Sequence, residues 1–458
     1  MLGLFFALFF FSFAEANVDF NPVYSEKAVV YLTDAEGDWE YFKNSLLLSD
    51  YFSLDKNGKL KRSKDCVLVY GGDVVDREGG VLKILKFLLS QKKQYPDTVL
   101  IAGNRDVNKI LLSFLDDDEI FTGATPFLRE PEELQASFVG WLRTYIQDDP
   151  TISFEAAFSD YSYRLKWFLQ VYLAAGSAFD FLKSELIQLS SLDFSDRLVA
   201  EHWRSLVSPH EDGNYLFQYL QQAQLIAKVG RVAIVHGALK DESYMRDLYG
   251  QTKPQGFESW VESINKQYQA VLRSYVLDPS YSNYKTLLEY QMSHPMTPGK
   301  NDQSLVYGRY SGSDGQNILP ANYIQDALYS QGLSLVLAGH TPQGNFASFM
   351  LGKKDLAFLI ADVSSSADTK SHVVVVEGSQ IKAKAFHAGY GLLQMTYDLS
   401  AVENEAFGQN VDGFVVKAKL ANGDYLLEKI SKPDGRYVVQ AKIMGAQELC
   451  EAELNKSR

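Results

Sequence analysis

Residues 70–77 read Y-G-G-D-V-V-D-R and follow an apolar run, C-V-L-V, at residues 66–69. Such a run is typical of a buried strand in a parallel sheet. The two glycines let the backbone turn sharply, which leaves Asp73 at the carboxyl end of the strand, where open α/β sheets bind ligands. Asp76 and Arg77 follow within one turn. Crowded carboxylates repel each other unless a cation lies among them, and a guanidinium suits a phosphate, so this stretch outlines a metal and phosphate site.

Four further strand-like runs also end in a residue that can ligate a metal. Their ends read D-A-E-G-D (34–38), G-N-R-D (103–106), H-G (236–237) and G-H-T-P (339–342). A solvated turn or a helix cap would explain any one of them. Five ends that carry Asp, Asp, Asn, His and His in chain order are better explained by one shared metal site, because these side chains ligate metals.

Composition limits the class of protein. A chain of 458 residues is long enough for one large domain with additions or for two to three domains. A net charge of -13 without a basic cluster argues against a nucleic-acid partner. Cys66 opens a predicted core strand and is expected to be a buried thiol rather than half of a disulfide. The sequence does not indicate an oligomeric state.

The amino-terminal segment predicts export. Residues 2–13 are apolar but too few to span a bilayer comfortably, and A-E-A at residues 14–16 has small residues at the cleavage spacing. Residues 1–16 are therefore interpreted as a signal peptide, with an uncleaved membrane anchor as the alternative because a basic region is missing. After cleavage the chain is expected to be secreted, or to lie in a secretory-pathway or periplasmic lumen, and not in a membrane.

The motifs lie in a strand–helix–strand rhythm, which predicts a right-handed parallel arrangement. The rhythm stops at residues 107–230, where helical periodicity predicts an insertion, and residues 258–291 predict a second helical stretch. Both are expected to cover the site and select the substrate. Residues 54–64 are predicted to be a polar loop.

The remaining strand-like segments follow the last motif. Gly378-Ser379 and Asn422-Gly423 are typical of hairpin turns. The predicted catalytic domain spans residues 24–391, and residues 392–458 are predicted to form a small β module outside the catalytic centre.

Taken together, the ordered motifs resemble those of the calcineurin-like metallophosphoesterases, with the phosphoprotein-phosphatase branch as the nearest likeness. The second motif, G-G-D-V-V-D-R at residues 71–77, is almost identical to the second motif of this branch. The first motif, D-x-E-G, and the third, G-N-R-D, differ from the usual ones, so the set is a variant of the branch pattern. The resemblance covers roughly residues 28–390, insertions aside. It implies an α/β (α+β) fold, in which a β-sandwich is flanked by helices and a two-metal centre lies at the strand ends.

The resemblance also implies a role for each motif residue. The first metal would be held by Asp34 and Glu36, and Asp73 would bridge both metals. The second metal would be held by Asn104, His236 and His340. Two such cations polarise a phosphate and turn a bridging water into hydroxide for in-line attack.

Arg77 would bind the non-bridging phosphate oxygens as a fork, and Asp76 and Arg105 would complete the catalytic set. Glu36 stands where the family usually has His, which favours hard cations: Mn²⁺ above all, with Mg²⁺ next and Fe or Zn²⁺ less favoured. His340 is followed by Thr341 and Pro342, without the second His that many other members of the family carry. The phosphoprotein-phosphatase branch also lacks this second His.

Arg105 replaces the His that, in the family, is thought to protonate the leaving group together with the residue matching Asp76. A guanidinium keeps its proton, so it can neutralise charge but cannot act as an efficient acid. This favours phosphotyrosine, whose leaving group has a pKa of about 10, over phosphoserine or phosphothreonine. Other residues that could supply a proton, or lie beside the ligands, are Asp106, His202, His210, His294, Asp38 and Asp362.

The sequence therefore predicts a metal-dependent phosphatase that hydrolyses phosphate monoesters on a phosphoprotein or phosphopeptide. A phosphodiesterase or nucleotide hydrolase with the same metals is the alternative. Because Glu36 and Arg105 are not the usual residues at their positions, a third interpretation is a catalytically degenerate protein that only binds phosphoproteins.

Overall fold

The chain is described by a computed structural model that covers residues 26–115, 131–147, 149–252, 256–292, 301–363, 367–401, 404–433 and 436–456. The strands are β1 (Ala28–Leu32), β2 (Phe52–Leu54), β3 (Leu60–Arg62), β4 (Cys66–Tyr70), β5 (Val99–Leu100), β6 (Ile226–Val229), β7 (Val232–Val235), β8 (Leu335–Ala338), β9 (Ser348–Leu351), β10 (Ala357–Ile360), β11 (Thr369–Glu377), β12 (Gln380–His387), β13 (Gly391–Asp398), β14 (Asn410–Val411), β15 (Phe414–Leu420), β16 (Tyr425–Ser431) and β17 (Val438–Met444). The α-helices are α1 (Trp39–Leu48), α2 (Val81–Gln94), α3 (Asn104–Asn108), α4 (Pro131–Ile146), α5 (Phe154–Ser159), α6 (Tyr161–Trp167), α7 (Ala178–Ser190), α8 (Asp196–Val207), α9 (Tyr215–Gln222), α10 (Phe257–Leu277), α11 (Tyr281–Gln291), α12 (Asn322–Ser330) and α13 (Ala446–Lys456).

Two sheets form the centre of the molecule. The larger has the strand order β17-β16-β15-β13-β12-β11-β1-β4-β5, with β14 paired to β15, and the smaller has the order β6-β7-β8-β10-β9. The pairs β1/β4, β4/β5, β7/β8 and β8/β10 are parallel, and the strands from β11 onward pair antiparallel. The predicted calcineurin-like sandwich with flanking helices is confirmed by this arrangement.

The central strands are buried on both faces. In β1, Val29 and Tyr31 pack in the apolar core that the two sheets share, while Val30 and Leu32 face the core under the helices. The residues of strand β4 alternate between the same two cores. Burial on both sides explains why these segments are continuous apolar runs rather than alternating ones.

The predicted helical insertion begins slightly earlier than residue 107 and ends before residue 230. It extends from α3 to α9, and β6 then starts at Ile226. One contact anchors it to the sheet helices: the buried Glu185 of α7 accepts hydrogen bonds from the backbone amides of Leu82 and Lys83, at 3.0 and 3.1 Å. These amides lie in the first turn of α2, where backbone donors lack partners within the helix. The second predicted helical stretch is confirmed by α10 and α11.

Two predicted hairpins are confirmed and one predicted loop is wrong. Strands β11 and β12 pair directly across Gly378-Ser379, and Gly423, with φ of 92°, turns the chain between β15 and β16. Residues 54–64, however, belong to a β2/β3 hairpin rather than a loop. Asp55 closes its turn by accepting from the amides of Asn57 and Lys59. Three-residue strands are too short to show a period of two in a polar sequence.

The C-terminal strands extend the larger sheet from β12 outward, and residue 392 lies in the first of them, β13. The domain limits 24–391 and 392–458 stay predictions, and residues 1–16 lie outside the described part of the chain. Cys66 is a buried free thiol and Cys450 an exposed one. In the described ranges, no helix has both the length and the apolar character needed to cross a membrane.

Candidate metal centre

The five strand-end motifs converge on one place. Asp34 follows β1, Asp73 follows β4, Asn104 opens α3 after β5, His236 follows β7 and His340 follows β8. Each is at most 8% exposed. Because the parallel strands of both sheets present their carboxyl ends on this side, the residues that follow them meet.

The backbone at these turns is unusual. Non-glycine residues with positive φ include Asp34 (52°), Glu36 (45°), Asp73 (55°), Asp76 (141°) and His340 (61°). Such conformations cost energy and concentrate at functional sites. Two glycines make the turns feasible, because a side chain on Gly103 would collide with the Asp73 carboxylate and one on Gly339 with that of Asp34.

Ligand atoms of Asp73, His236 and His340 lie within 4.8 Å of one another. Nε2 of His236 is 3.3 Å from Oδ1 of Asp73 and 3.1 Å from Oδ1 of Asn104. Its Nδ1 lies 2.9 Å from the carbonyl oxygen of Gly71, which suits a proton on Nδ1 and a free lone pair on Nε2. Nε2 of His340 is buried and has no hydrogen-bond partner among the described residues. This donor set fits a divalent cation.

The electrostatics are those of a crowded acidic site. Burial, followed by the nearby Asp362 carboxylate, raises the pKa of Asp34 well above its ordinary value. Burial would also raise the pKa of Asp73, but His236 and Arg105 together hold it below the usual range. Burial and the Arg309 guanidinium keep the pKa of His340 low, so this imidazole stays neutral and able to ligate.

A chain of charges lies beside the ligand cluster. Glu36 pairs through Oε2 with Nε of Arg77 at 2.7 Å and through Oε1 with Nε of Arg105 at 3.0 Å. Asp76 pairs with Nη1 of Arg105 and with Nζ of Lys109, both at 2.5 Å. The side chains of Asp76 and Lys109 are fully buried, so Asp76 holds Arg105 from behind. Sequence reasoning missed Lys109, which has no motif of its own.

The cluster opens into a cleft of about 560 Å³. Its lining includes a third guanidinium, that of Arg309, whose Nη1 donates to the carbonyl of His340 at 2.9 Å. The Tyr307 ring lies beside the His340 ring, with centroids 5.1 Å apart. Arg309 and Tyr307 were not identified from the sequence because they lie in a loop between helices, and no apolar run precedes them.

Both insertions reach the cleft, as predicted. The lining from outside the motifs consists of Asn108, Leu111, Val171, Tyr172, Leu173, Ala174, Gln291, Met292 and Tyr437. Tyr437 comes from the segment before β17, so the C-terminal part of the chain contributes one residue to the lining of the cleft. The sequence around this single tyrosine, between two β segments, has no pattern that would indicate its position at the cleft.

The sequence also offered residues that could supply a proton or lie beside the ligands, and of those in the described part of the chain only Asp362 lines the cleft. Asp106 is no proton donor to the cleft, because it is fully buried and its oxygens accept from the amides of Asp73, Val74 and Gly103. Asp38 caps α1 by accepting from the amide of Tyr41. His202 and His210 are not among the residues that line the cleft, whereas Asp362 is. His294 lies outside the described residues.

No family model and no curated protein matches this sequence. The structure is similar to that of a cold-active protein tyrosine phosphatase, with 14% identity, a TM-score of 0.44, and coverage of 82% of this chain and 80% of the other. A protein-tyrosine phosphatase of the psychrophile Shewanella sp. matches with 14% identity, a TM-score of 0.43, and coverage of 83% and 82%. A protein serine/threonine phosphatase from Saccharomyces cerevisiae matches with 10% identity, a TM-score of 0.32, and coverage of 83% and 82%.

The resemblance to the calcineurin-like metallophosphoesterases is carried by the chain's own features. The two-sheet sandwich, the five motifs at the strand ends and the buried Asp–His–His cluster occur together and in the expected order. The two-sheet arrangement and the ligand cluster thus agree with what this resemblance implied.

Proposed function

We propose that the chain is a metal-dependent phosphatase that hydrolyses phosphate monoesters on phosphoproteins, with phosphotyrosine preferred. The observation that carries this proposal is one cleft whose lining joins Asp73 and His340, two members of the buried Asp–His–His cluster, with three guanidiniums. A phosphate bound to metal requires both side chains that ligate the metal and cationic forks that bind the phosphate oxygens.

The residues that would hold two divalent cations are Asp34, Asp73, Asn104, His236 and His340, with Glu36 as the sixth predicted ligand. Bound there, such cations would polarise the phosphate and activate the attacking water. Oxygen atoms dominate the set, which supports Mn²⁺ or Mg²⁺ over softer metals.

The phosphate oxygens would be bound by Arg77, Arg105 and Arg309. The side chain of Arg77 is 45% exposed and that of Arg105 20%, so both can reach a ligand in the cleft. Glu36 and Asp76 fix these guanidiniums, so less entropy is lost when a phosphate binds.

Proton supply to the leaving group supports the tyrosine preference. The acidic side chains among the described lining residues are Asp34, Glu36, Asp73 and Asp362, and all of them lie in or beside the ligand cluster. Burial opposes the charge of Arg105, yet Asp76 and Glu36 hold its pKa above the ordinary value, so it keeps its proton. A phenolate can leave with charge neutralisation alone, whereas a serine alkoxide needs a proton.

Export belongs to the same proposal, motivated by the apolar segment and small-residue cleavage spacing of residues 1–16. The chain without these residues is therefore the form to assay.

Turnover by that form, loaded with Mn²⁺ or Mg²⁺, tests the proposal. Phosphotyrosine and phosphoserine peptides are compared, together with 4-nitrophenyl phosphate and its bis-ester. We expect faster turnover of phosphotyrosine and of the monoester. Asp73→Ala should lower turnover by about 100-fold or more, while Glu211→Gln, which removes an exposed carboxylate in the insertion, should not.

Other outcomes contradict the proposal in different ways. Preference for the bis-ester would identify a phosphodiesterase, and unchanged turnover in Asp73→Ala would exclude the metal centre. Binding of phosphopeptide without turnover of any ester would identify a binding protein.

A further inference from the structure

Asp362 lies level with His340 at the end of a neighbouring strand. Strands β8 and β10 are parallel, and Ile360 pairs with Ala338, so each of the two residues lies two positions beyond this pair. The amide of Gln343 donates to the carbonyl of Asp362 at 2.8 Å, which fixes the turn. Asp362 is 6% exposed and lines the same cleft as Asp34 and His340.

Glu36 is engaged elsewhere. Both of its carboxylate oxygens lie beside guanidiniums: Oε1 is 3.0 Å from Nε of Arg105, and Oε2 is 2.7 Å from Nε of Arg77, although Oε2 makes no hydrogen bond of good geometry in the described part of the chain. A carboxylate held in this way by two cations would have to give up an ion pair before it could bind a metal. Its position therefore suits the placement of the two arginines.

Two independent features indicate that cations belong at this edge of the cleft. The buried Nε2 of His340 has no hydrogen-bond partner in the described part of the chain, although it lines this cleft. In addition, Asp34 and Asp362 are 2% and 6% exposed and line the same cleft, so two carboxylates share a desolvated space. A cation between them removes their mutual repulsion.

We propose that Asp362 is a ligand of the first metal together with Asp34, and that Glu36 is a positioning residue that orients Arg77 and Arg105. The part concerning the arginines rests on the proposed phosphatase function, whereas the part concerning Asp362 rests on metal binding alone. The two carboxylates would supply oxygen ligands, which hard cations prefer.

Two variants of the chain lacking residues 1–16, Asp362→Asn and Glu36→Gln, separate the roles. Both are nearly isosteric and remove one charge. The number of Mn²⁺ ions bound per chain and their Kd are measured by calorimetry and by elemental analysis after dialysis. We expect Asp362→Asn to lose one Mn²⁺ or to bind it at least tenfold more weakly, and Glu36→Gln to keep the full number.

Inorganic phosphate is then titrated into the Mn²⁺-loaded proteins. We expect its Kd to rise about tenfold in Glu36→Gln, because the arginines lose their common anchor. Glu211→Gln is the matched control and should change neither metal nor phosphate binding. Circular dichroism establishes that each variant is folded.

The outcomes are decisive for each residue. Loss of Mn²⁺ from Glu36→Gln overturns the positioning role, and full Mn²⁺ binding by Asp362→Asn overturns the ligand role. If Asp362→Asn does not fold, Asp362→Ser takes its place, and the Glu36→Gln result stands by itself. If no ester is hydrolysed, the phosphatase proposal fails, but the number of bound Mn²⁺ ions still decides the role of Asp362.

Discussion

Lys109 is a fully buried lysine whose ammonium lies 2.5 Å from Oδ1 of Asp76. It follows Arg105 by one helical turn and also donates to Oδ1 of Asn108 at 3.0 Å. Asp76 is thus placed between two cations, Lys109 on the core side and Arg105 on the cleft side. A buried carboxylate of this kind positions a neighbour more readily than it donates a proton.

Replacement of Lys109 by Met leaves the buried Asp76 with one cation. We expect the free energy of unfolding to fall by about 3–5 kcal/mol, as for other broken buried ion pairs. Urea denaturation of the metal-free protein measures this. The double variant Lys109→Met/Asp76→Asn should recover part of the loss because the uncompensated charge is gone, and a further loss in the double variant would contradict the pairing.

The buried side chain of His372 is expected to make the folded protein less stable at low pH. It is almost completely buried between the sheets, its Nε2 has no partner among the described residues, and its amide donates to Ser45. Burial, and then the charge of Lys417, lower its pKa to about 3. In the unfolded chain a histidine has a pKa of about 6.5.

Because the folded pKa of His372 is the lower one, its contribution to stability is complete above pH 6.5 and is lost as the pH falls toward 3. The slope is at most about 1.4 kcal/mol per pH unit from this one group. His372→Phe should flatten the dependence of the unfolding free energy on pH over this range. The exposed His210→Gln is the control, and an equal slope in the wild type and His372→Phe would contradict the prediction.

At the scale of elements, the C-terminal strands support the loop that follows His340. Nζ of Lys417 in β15 donates to the carbonyls of Gln343 and Phe346 at 3.1 and 3.4 Å, and Lys417 is buried. Glu428 in β16 accepts from the side-chain amide of Asn345 at 2.6 Å. This loop is thus held by residues that lie far from the motifs in sequence.

Lys417→Met should leave two buried carbonyls without their donor and destabilise the loop by about 1–3 kcal/mol. Hydrogen exchange at residues 343–348 should become faster, while β1 and β4 stay protected. Lys419→Met, on the same strand but partly exposed, should have little effect. Equal exchange rates in the two variants would mean that β15 does not support the loop.

The sequence was sufficient to predict the strand ends but not the elements that surround them. Asp34, Asp73, Asn104, His236 and His340 each follow an apolar run, so local pattern and parallel topology together bring them to one edge. Arg309 and Tyr437 reach the cleft through loop and sheet geometry, for which a single sequence has no local signal. The strands β2, β3 and β9 were missed because three or four residues are too few to show a period of two.

At the scale of the whole molecule, the reaction is expected to depend steeply on the leaving group. Rates for a series of aryl and alkyl phosphate monoesters should fall as the pKa of the leaving group rises, because Arg105 neutralises charge without giving up a proton. Arg105→His restores a group able to donate, and should make the dependence shallower even if it lowers the rate for the best aryl ester.

Arg143→His, at an exposed position of α4, is the matched control. A shallow dependence in the wild type would mean that another residue protonates the leaving oxygen, and the preference for phosphotyrosine would then lose its chemical basis.

The hydrogen bond from the amide of His340 to the carboxylate of Asp34 joins residues 306 positions apart. During synthesis on the ribosome, the segment with Asp34 therefore emerges long before its partner exists. A nascent chain can form β1, β4 and β5 early, but it has no complete ligand cluster until most of the polypeptide has been made. An unfinished or prematurely terminated chain therefore lacks the complete ligand cluster on which the proposed hydrolysis depends.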